Sequence, residues 1–292
     1  MSIRTEDVHA PLTPAETAWL AEAVAYSGSG QPDLPGLPDL VTRMRRTMGE
    51  PDCTPAKLAA LVGSDAAIGA RVVKVANSAM ARGAAPIHSL DRAIARLGFD
   101  LVRNLVTGIC VTRLFTVPSG ASAAFLRRHY RATRMVAAEA YALGRHSRRA
   151  EPQEALLAGL VHDIGVLPLL AYARKSAPPD DKDAALNRLL YKGHTRAGAA
   201  LLEQWQFDER FVTVAAEHED ILAVARDRHP LRDLLIVANV EVNSGPGTWI
   251  GQVDRNRVPA YRRLSIDPGG GFRGGSDWAA DIEAAQLRML GQ

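Results

Sequence analysis

Apolar residues recur along this chain at three- and four-residue intervals, the spacing of one helix face, and nowhere alternate over a useful length as a strand requires. Ile68, Val72, Val75 and Ala79 make one such stripe, in a helix predicted over 65–80. Leu101, Leu105, Ile109 and Thr112 make another, over 100–115. Local punctuation places the ends of further helices. Thr13-Pro14-Ala15-Glu16 pairs a capping threonine with a glutamate three residues on and a proline at the first helical position, which predicts a helix over 13–26. Ser27-Gly28-Ser29-Gly30-Gln31-Pro32 then has the composition of a flexible linker. Helices are expected over 38–48, over 55–62 behind Thr54-Pro55, and over 90–97 between Ser89 and Gly98. Pro118-Ser119-Gly120 marks a boundary. Beyond it the pattern predicts helices over 121–144, 152–161, 183–191, 195–205, 208–218 and 230–242. Residues 246–292 form a Gly-rich, loop-rich tail with a terminal helix over 277–290. The expected fold class is all-α.

Composition narrows the setting. A chain of 292 residues that is 47% hydrophobic can bury a substantial core, and only 5% aromatic residues favours helices over sheets. A net charge of +3 is too weak to argue for nucleic acid as a partner. Cys53 and Cys110 stand far apart with no CxxC pair, as two buried thiols in a reducing compartment would. The first residues, MSIRTEDVHAPLTPAE, hold no apolar leader segment, and no apolar stretch approaches the roughly 20 residues of a membrane span. The expected location is the cytoplasm, away from any membrane. The glycines at 269–275 lack the lysine and the preceding strand of a phosphate loop, so they are expected to be a linker.

The chemistry concentrates in histidines. The pair His162-Asp163 sits where the apolar run Gly159-Leu160-Val161 meets Ile164-Gly165, with His129 upstream and His194 and His218 downstream. Neighbouring residues on a helix diverge by about 100°, so His162 and Asp163 can face one ion only near a helix end. His129 shares a face with Thr133, Val136 and Ala140. Each histidine also has an ordinary structural reading: His129 in a core, His194 starting a helix after Gly193, His218 ending the helix over 208–218. Arg127, Arg131 and Arg134 recur at helical spacing, roughly 140–200° away from His129, and suit an acidic partner or a phosphate. Arg43, Arg45 and Arg46 form a second basic cluster.

From about residue 34 to 245 the sequence resembles the HDOD family, the HD-related output domains of bacterial signalling proteins. The resemblance rests on Leu34-Pro35-Gly36-Leu37-Pro38, Ser64-Asp65-Ala66-Ala67-Ile68, Val75-Ala76-Asn77-Ser78-Ala79, Ile87-His88-Ser89-Leu90 and Ala93–Gly98 in the first half. In the second half it rests on Ala158–Gly165, His194–Leu202, Trp205 and Ala216-Glu217-His218-Glu219. It implies a helical subdomain over 34–118 packed on an HD-like helical subdomain over 119–245, preceded by a helix and linker over 1–33. It also implies signalling without catalysis, through a regulatory protein supplied in trans and with a nucleotide messenger as the small ligand. The alternative is a metal-dependent phosphohydrolase of the HD type acting on a nucleotide or cyclic dinucleotide. By that likeness His129, His162, Asp163, His194 and His218 are the candidate ligands for iron, manganese or zinc. Asn239 stands at the late position where active relatives carry aspartate, and a neutral amide there loses a charge and a strong ligand.

Overall fold

The computed structural model describes residues 10–31, 36–78, 86–115, 122–180, 183–224, 229–246, 248–270, 273 and 276–290. Leu34-Pro35, Ala79, Pro118-Ser119-Gly120 and the glycines at 271, 274 and 275 lie outside the described residues. The fold is all-α, as the periodicity requires. Helices α1 (Pro14–Ser27), α2 (Asp39–Met48), α3 (Pro55–Val62), α4 (Ala66–Ala76), α5 (Leu90–Leu97) and α6 (Phe99–Leu114) fall within a few residues of their predicted ranges. They are followed by α7 (Ser122–Ser147), α8 (Pro152–Val161), α9 (Val166–Lys175), α10 (Asp183–Gln204), α11 (Glu209–Glu217), α12 (Pro230–Asn243), α13 (Pro259–Leu264) and α14 (Ser276–Leu290).

Local chemistry explains the early boundaries. Both halves of the capping box on α1 are formed, Thr13 with Glu16. Thr54 and Asp65 accept from the backbone N–H groups of Lys57 and Ile68 at the starts of α3 and α4. Asn77 ends α4 and binds Ile87 twice, donating to its carbonyl at 2.7 Å and accepting from its N–H at 2.8 Å. That pairing fits the structural role expected of Asn77. Gly98, at φ 79°, turns α5 into α6 in a conformation that favours glycine.

Among the described residues two large hydrophobic cores result, with a small third cluster of Ala137, Ala138, Tyr141, Leu156, Leu160 and Ala285. Val41, Met44, Leu58, Ile68, Val72, Ile94 and Val106 belong to one, built from α2–α6. The larger core takes Val111 and Phe115 from the end of α6, and otherwise draws on α1 and the helices from α7 onward. Arg45 ties α2 to the larger assembly: it donates to the Trp205 carbonyl at 2.7 Å and lies 4.5 Å over the Phe207 ring.

Four expectations need correction. First, α9 was not predicted; it follows His162-Asp163 after a single turn. Its residues Val166–Tyr172 are all buried, so no polar face advertises a period. Second, Pro152–Lys175 is apolar enough, by length and composition, to cross a membrane, contrary to the count of apolar stretches above. Its most apolar 18-residue window is wholly buried inside the protein, and the segment is interrupted by the turn between α8 and α9. Third, the helices predicted over 183–191 and 195–205 are one helix, α10. Gly193 does not break it: a Cβ there would stand 2.4 Å from Leu20 Cδ1, so the glycine admits α1. The segment after α1 packs rather than swings, with Gly28 against Ala200 of α10. Fourth, the tail is built into the fold. Two 3-10 turns and α13 cross it, and Ile250, Tyr261, Leu264 and Trp278 are buried.

Candidate metal centre

Five side chains from four places in the larger assembly meet at one buried point. His129 comes from α7, His162 and Asp163 from the turn after α8, His194 from the middle of α10, and His218 from the C-cap of α11. Their exposures are 4, 1, 3, 0 and 0%. Close helix crossings make the meeting possible. A Cβ on Gly159 would stand 2.3 Å from Ala137 Cα, which fixes α8 on α7. A Cβ on Gly165 would stand 2.0 Å from the His194 carbonyl oxygen, which fixes the turn on α10.

Asp163 is the hub. Its Oδ2 lies 3.3 Å from His162 Nε2 and 3.5 Å from His129 Nε2. Its Oδ1 lies 3.3 Å from both His194 Nε2 and His218 Nε2, and those two nitrogens are 3.1 Å apart. Three of the rings are held from behind. His162 Nδ1 meets the Gly159 carbonyl at 2.7 Å, His194 Nδ1 the Tyr191 carbonyl at 2.7 Å, and His218 Nδ1 the Ala215 carbonyl at 3.0 Å. A carbonyl only accepts, so each Nδ1 carries the hydrogen and each Nε2 turns a lone pair inward. His129 stacks on Phe125 at 5.7 Å, and neither of its ring nitrogens has a hydrogen-bond partner.

Electrostatics sharpen the picture. Burial pushes the His129 imidazole down to about 4 and lowers His194 as well. Burial would raise the Asp163 carboxyl, but positive charge facing it, as protonated His162 and His129 rings would bring, outweighs this and holds the group well below its ordinary value. A buried carboxylate ringed by inward lone pairs calls for a cation. Metal–donor bonds of about 2.1 Å place neighbouring donors roughly 3.0–3.4 Å apart. The 3.1 and 3.3 Å separations around Oδ1 match that spacing. The donor set therefore fits a divalent ion, while His129 is also a buried core residue and His218 also ends α11, as their structural readings expected.

Comparison with known proteins identifies the family. The HDOD domain pattern matches residues 34–221. This chain belongs to the HDOD family. The HDOD chain shares its fold with a protein from Shewanella amazonensis SB2B described as a "Putative metal-dependent phosphohydrolase" (TM-score 0.79, 22% identity, 95% of this chain and 100% of that one). A second relative is an HDOD domain protein of unknown function from Geobacter sulfurreducens (TM-score 0.64, 22% identity, 94% and 99%). A third, from Marinobacter aquaeolei VT8, is described as a "Putative signal transduction protein" (TM-score 0.62, 21% identity, 98% and 68%). By sequence, the HDOD chain is 23% identical over 243 residues to an uncharacterised protein of Treponema pallidum (strain Nichols) and spans 46% of that relative's length.

The sequence singles out four other residues: Asn239 and, on α7, Arg127, Arg131 and Arg134. Asn239 is buried on α12, and its Oδ1 accepts from Asn243 Nδ2 at 2.6 Å, so its one ligating atom is engaged by a neighbour. Arg127 and Arg131 are exposed on α7 and make no ion pair among the described residues. Arg134 is half-buried, its guanidinium 5.6 Å over the Tyr130 ring. Sequence reasoning missed the supporting carbonyls of Gly159, Tyr191 and Ala215. Their signal is positional, each lying three residues before a candidate ligand histidine.

Proposed function

We propose that this HDOD chain is a non-catalytic regulatory module whose His–Asp centre holds a divalent ion of iron, manganese or zinc and which acts through a protein partner. One feature supports the non-catalytic part: by the family likeness Asn239 stands where active relatives carry aspartate, and its neutral carbonyl oxygen accepts from Asn243. A hydrolytic metal must hold and ionise water at an open position, and losing a charged ligand weakens that function most. The ion is then a rivet between α7, α10, α11 and the turn after α8. Arg127 and Arg131, with Arg134 beside them, suit an acidic partner surface, with a nucleotide messenger as the small-molecule input. The second reading, an HD-type phosphohydrolase acting on a nucleotide or cyclic dinucleotide, is favoured by the four histidines gathered around Asp163.

The two readings separate in one assay. Wild type, Asn239→Asp and His162→Ala are loaded with manganese and given bis-p-nitrophenyl phosphate and cyclic dinucleotides. The regulatory reading expects no His162-dependent turnover in wild type and at least a tenfold gain in Asn239→Asp. Turnover by wild type that His162→Ala abolishes would establish the hydrolase instead.

A further inference from the structure

Glu219 follows His218 directly and faces the same half of the centre. Its Oε1 lies 3.9 Å from His218 Nε2, and its donor atom falls within 4.8 Å of those of His194 and His218. Its other oxygen, Oε2, accepts from the Tyr191 hydroxyl at 3.0 Å. Tyr191 therefore acts twice: its carbonyl holds His194 Nδ1 at 2.7 Å and its hydroxyl holds Glu219. That double hold fixes one nitrogen ligand and leaves one carboxylate oxygen unspent beside it.

Resting on the metal-binding reading above, we propose that Glu219 is a metal ligand of this chain: with His194, His218 and Asp163 Oδ1 it makes a two-nitrogen, two-oxygen site for a divalent cation, and Tyr191 is its positioning residue. The charge argument points the same way. Asp163 alone brings one negative charge to the centre and Asn239 brings none, whereas Asp163 with Glu219 balances a divalent ion. The borderline donor set of two imidazoles and two carboxylates suits zinc or manganese.

The test measures zinc affinity by competition with a chromophoric chelator, and the absorption spectrum of the cobalt-substituted protein, for wild type, Glu219→Gln, Tyr191→Phe and His162→Ala. Glu219→Gln is expected to bind at least about tenfold more weakly and to shift the cobalt ligand-field bands. Tyr191→Phe is expected to weaken binding with the wild-type band positions retained, as a positioning residue should. Helix content of the metal-free variants, read by circular dichroism, is expected to match wild type. Wild-type affinity and spectrum in Glu219→Gln, with affinity lost in His162→Ala, overturns the role of Glu219 and leaves the metal centre standing. No zinc or cobalt bound by wild type overturns both. If Glu219→Gln does not fold, Tyr191→Phe decides: unchanged affinity there overturns the proposal.

Discussion

Two glycines at one helix crossing should respond oppositely to the same added methyl group. Gly165 begins α9 with helical torsions, φ −62° and ψ −14°, so alanine there meets no backbone strain. It meets α10 instead: the new Cβ would lie 2.0 Å from the His194 carbonyl oxygen and 2.4 Å from the Gly198 nitrogen. Ordinary contact begins near 3.4 Å, so α10 must retreat by more than an ångström. Both obstacles are backbone and neither can rotate away. Overpacking against yielding side chains costs about 1–3 kcal/mol; against two packed backbones we expect about 3–5 kcal/mol. For a chain of this size that lowers Tm by about 6–15 °C. Gly198 sits inside α10, where its Cβ would approach the Gly165 nitrogen at 3.2 Å. That contact is tight but near tolerance, and alanine returns up to about 1 kcal/mol of helix propensity. Gly198→Ala should therefore stay within about 1 kcal/mol of wild type. Calorimetry gives both numbers, and metal content gives a second readout, since retreat of α10 carries His194 away from Asp163. A Gly165→Ala protein melting within 2 °C of wild type, as an order-of-magnitude bound, or an equally damaged Gly198→Ala, would refute the reasoning.

The tail supplies a pH-dependent prediction. Arg273 Nε lies 3.0 Å from Glu139 Oε1 and its Nη1 3.0 Å from Glu241 Oε2; these two carboxylates on α7 and α12 are 4 and 0% exposed. Arg273 is itself 37% exposed, so its removal is expected to cost about 1–3 kcal/mol rather than the full value of a buried pair. Burial raises Glu139 above its ordinary value, so its proton is held more tightly folded than unfolded. Stability tied to it is present at low pH and lost as pH rises past the ordinary glutamate value. The Arg273→Ala penalty in urea titrations should therefore grow from pH 5 toward pH 8; a penalty independent of pH would count against the pairing. Thiol chemistry supplies another prediction. Burial pushes the Cys110 thiol up to about 11, whereas Cys53 is only half-buried. A disulfide reagent should modify Cys53 alone in the folded protein and reach Cys110 only in denaturant; fast reaction of both would show that the α2–α6 core opens readily.

What the sequence discloses here depends on how local the cause is. The boundaries of α1, α3 and α4 are set by Thr13, Thr54 and Asp65 acting on residues three positions away, and they could be placed at once. The five candidate ligands could be named because their order and spacing resemble those of the HDOD family. Their arrangement could not, because it depends on which carbonyl each Nδ1 meets and on how closely α10 approaches the turn at Gly165. Long-range packing also hid α9, whose uniformly apolar residues show no period. It hid the continuity of α10 as well: Gly193 has the composition of a break, and only Leu20, far away in the sequence, explains it. The tail misled for the complementary reason. Its glycines suggest looseness, while Tyr261, Arg255 and Arg273 fasten it to Glu241.

The first helix bears on how this family can be recombined. The family match begins at residue 34, after α1 has ended. Yet Trp19 donates to the Ser176 carbonyl at 3.0 Å, Tyr172 donates to Glu22 at 2.6 Å, Glu16 pairs with Arg188, and Leu20 fills the space over Gly193. An HDOD unit excised at the edge of the shared pattern would expose an apolar trench along α9 and α10, one residue from the ligand His194. A fusion protein or minimal domain cut there inherits a sticky surface beside the His–Asp cluster, whereas a cut ahead of Thr13 keeps that trench filled.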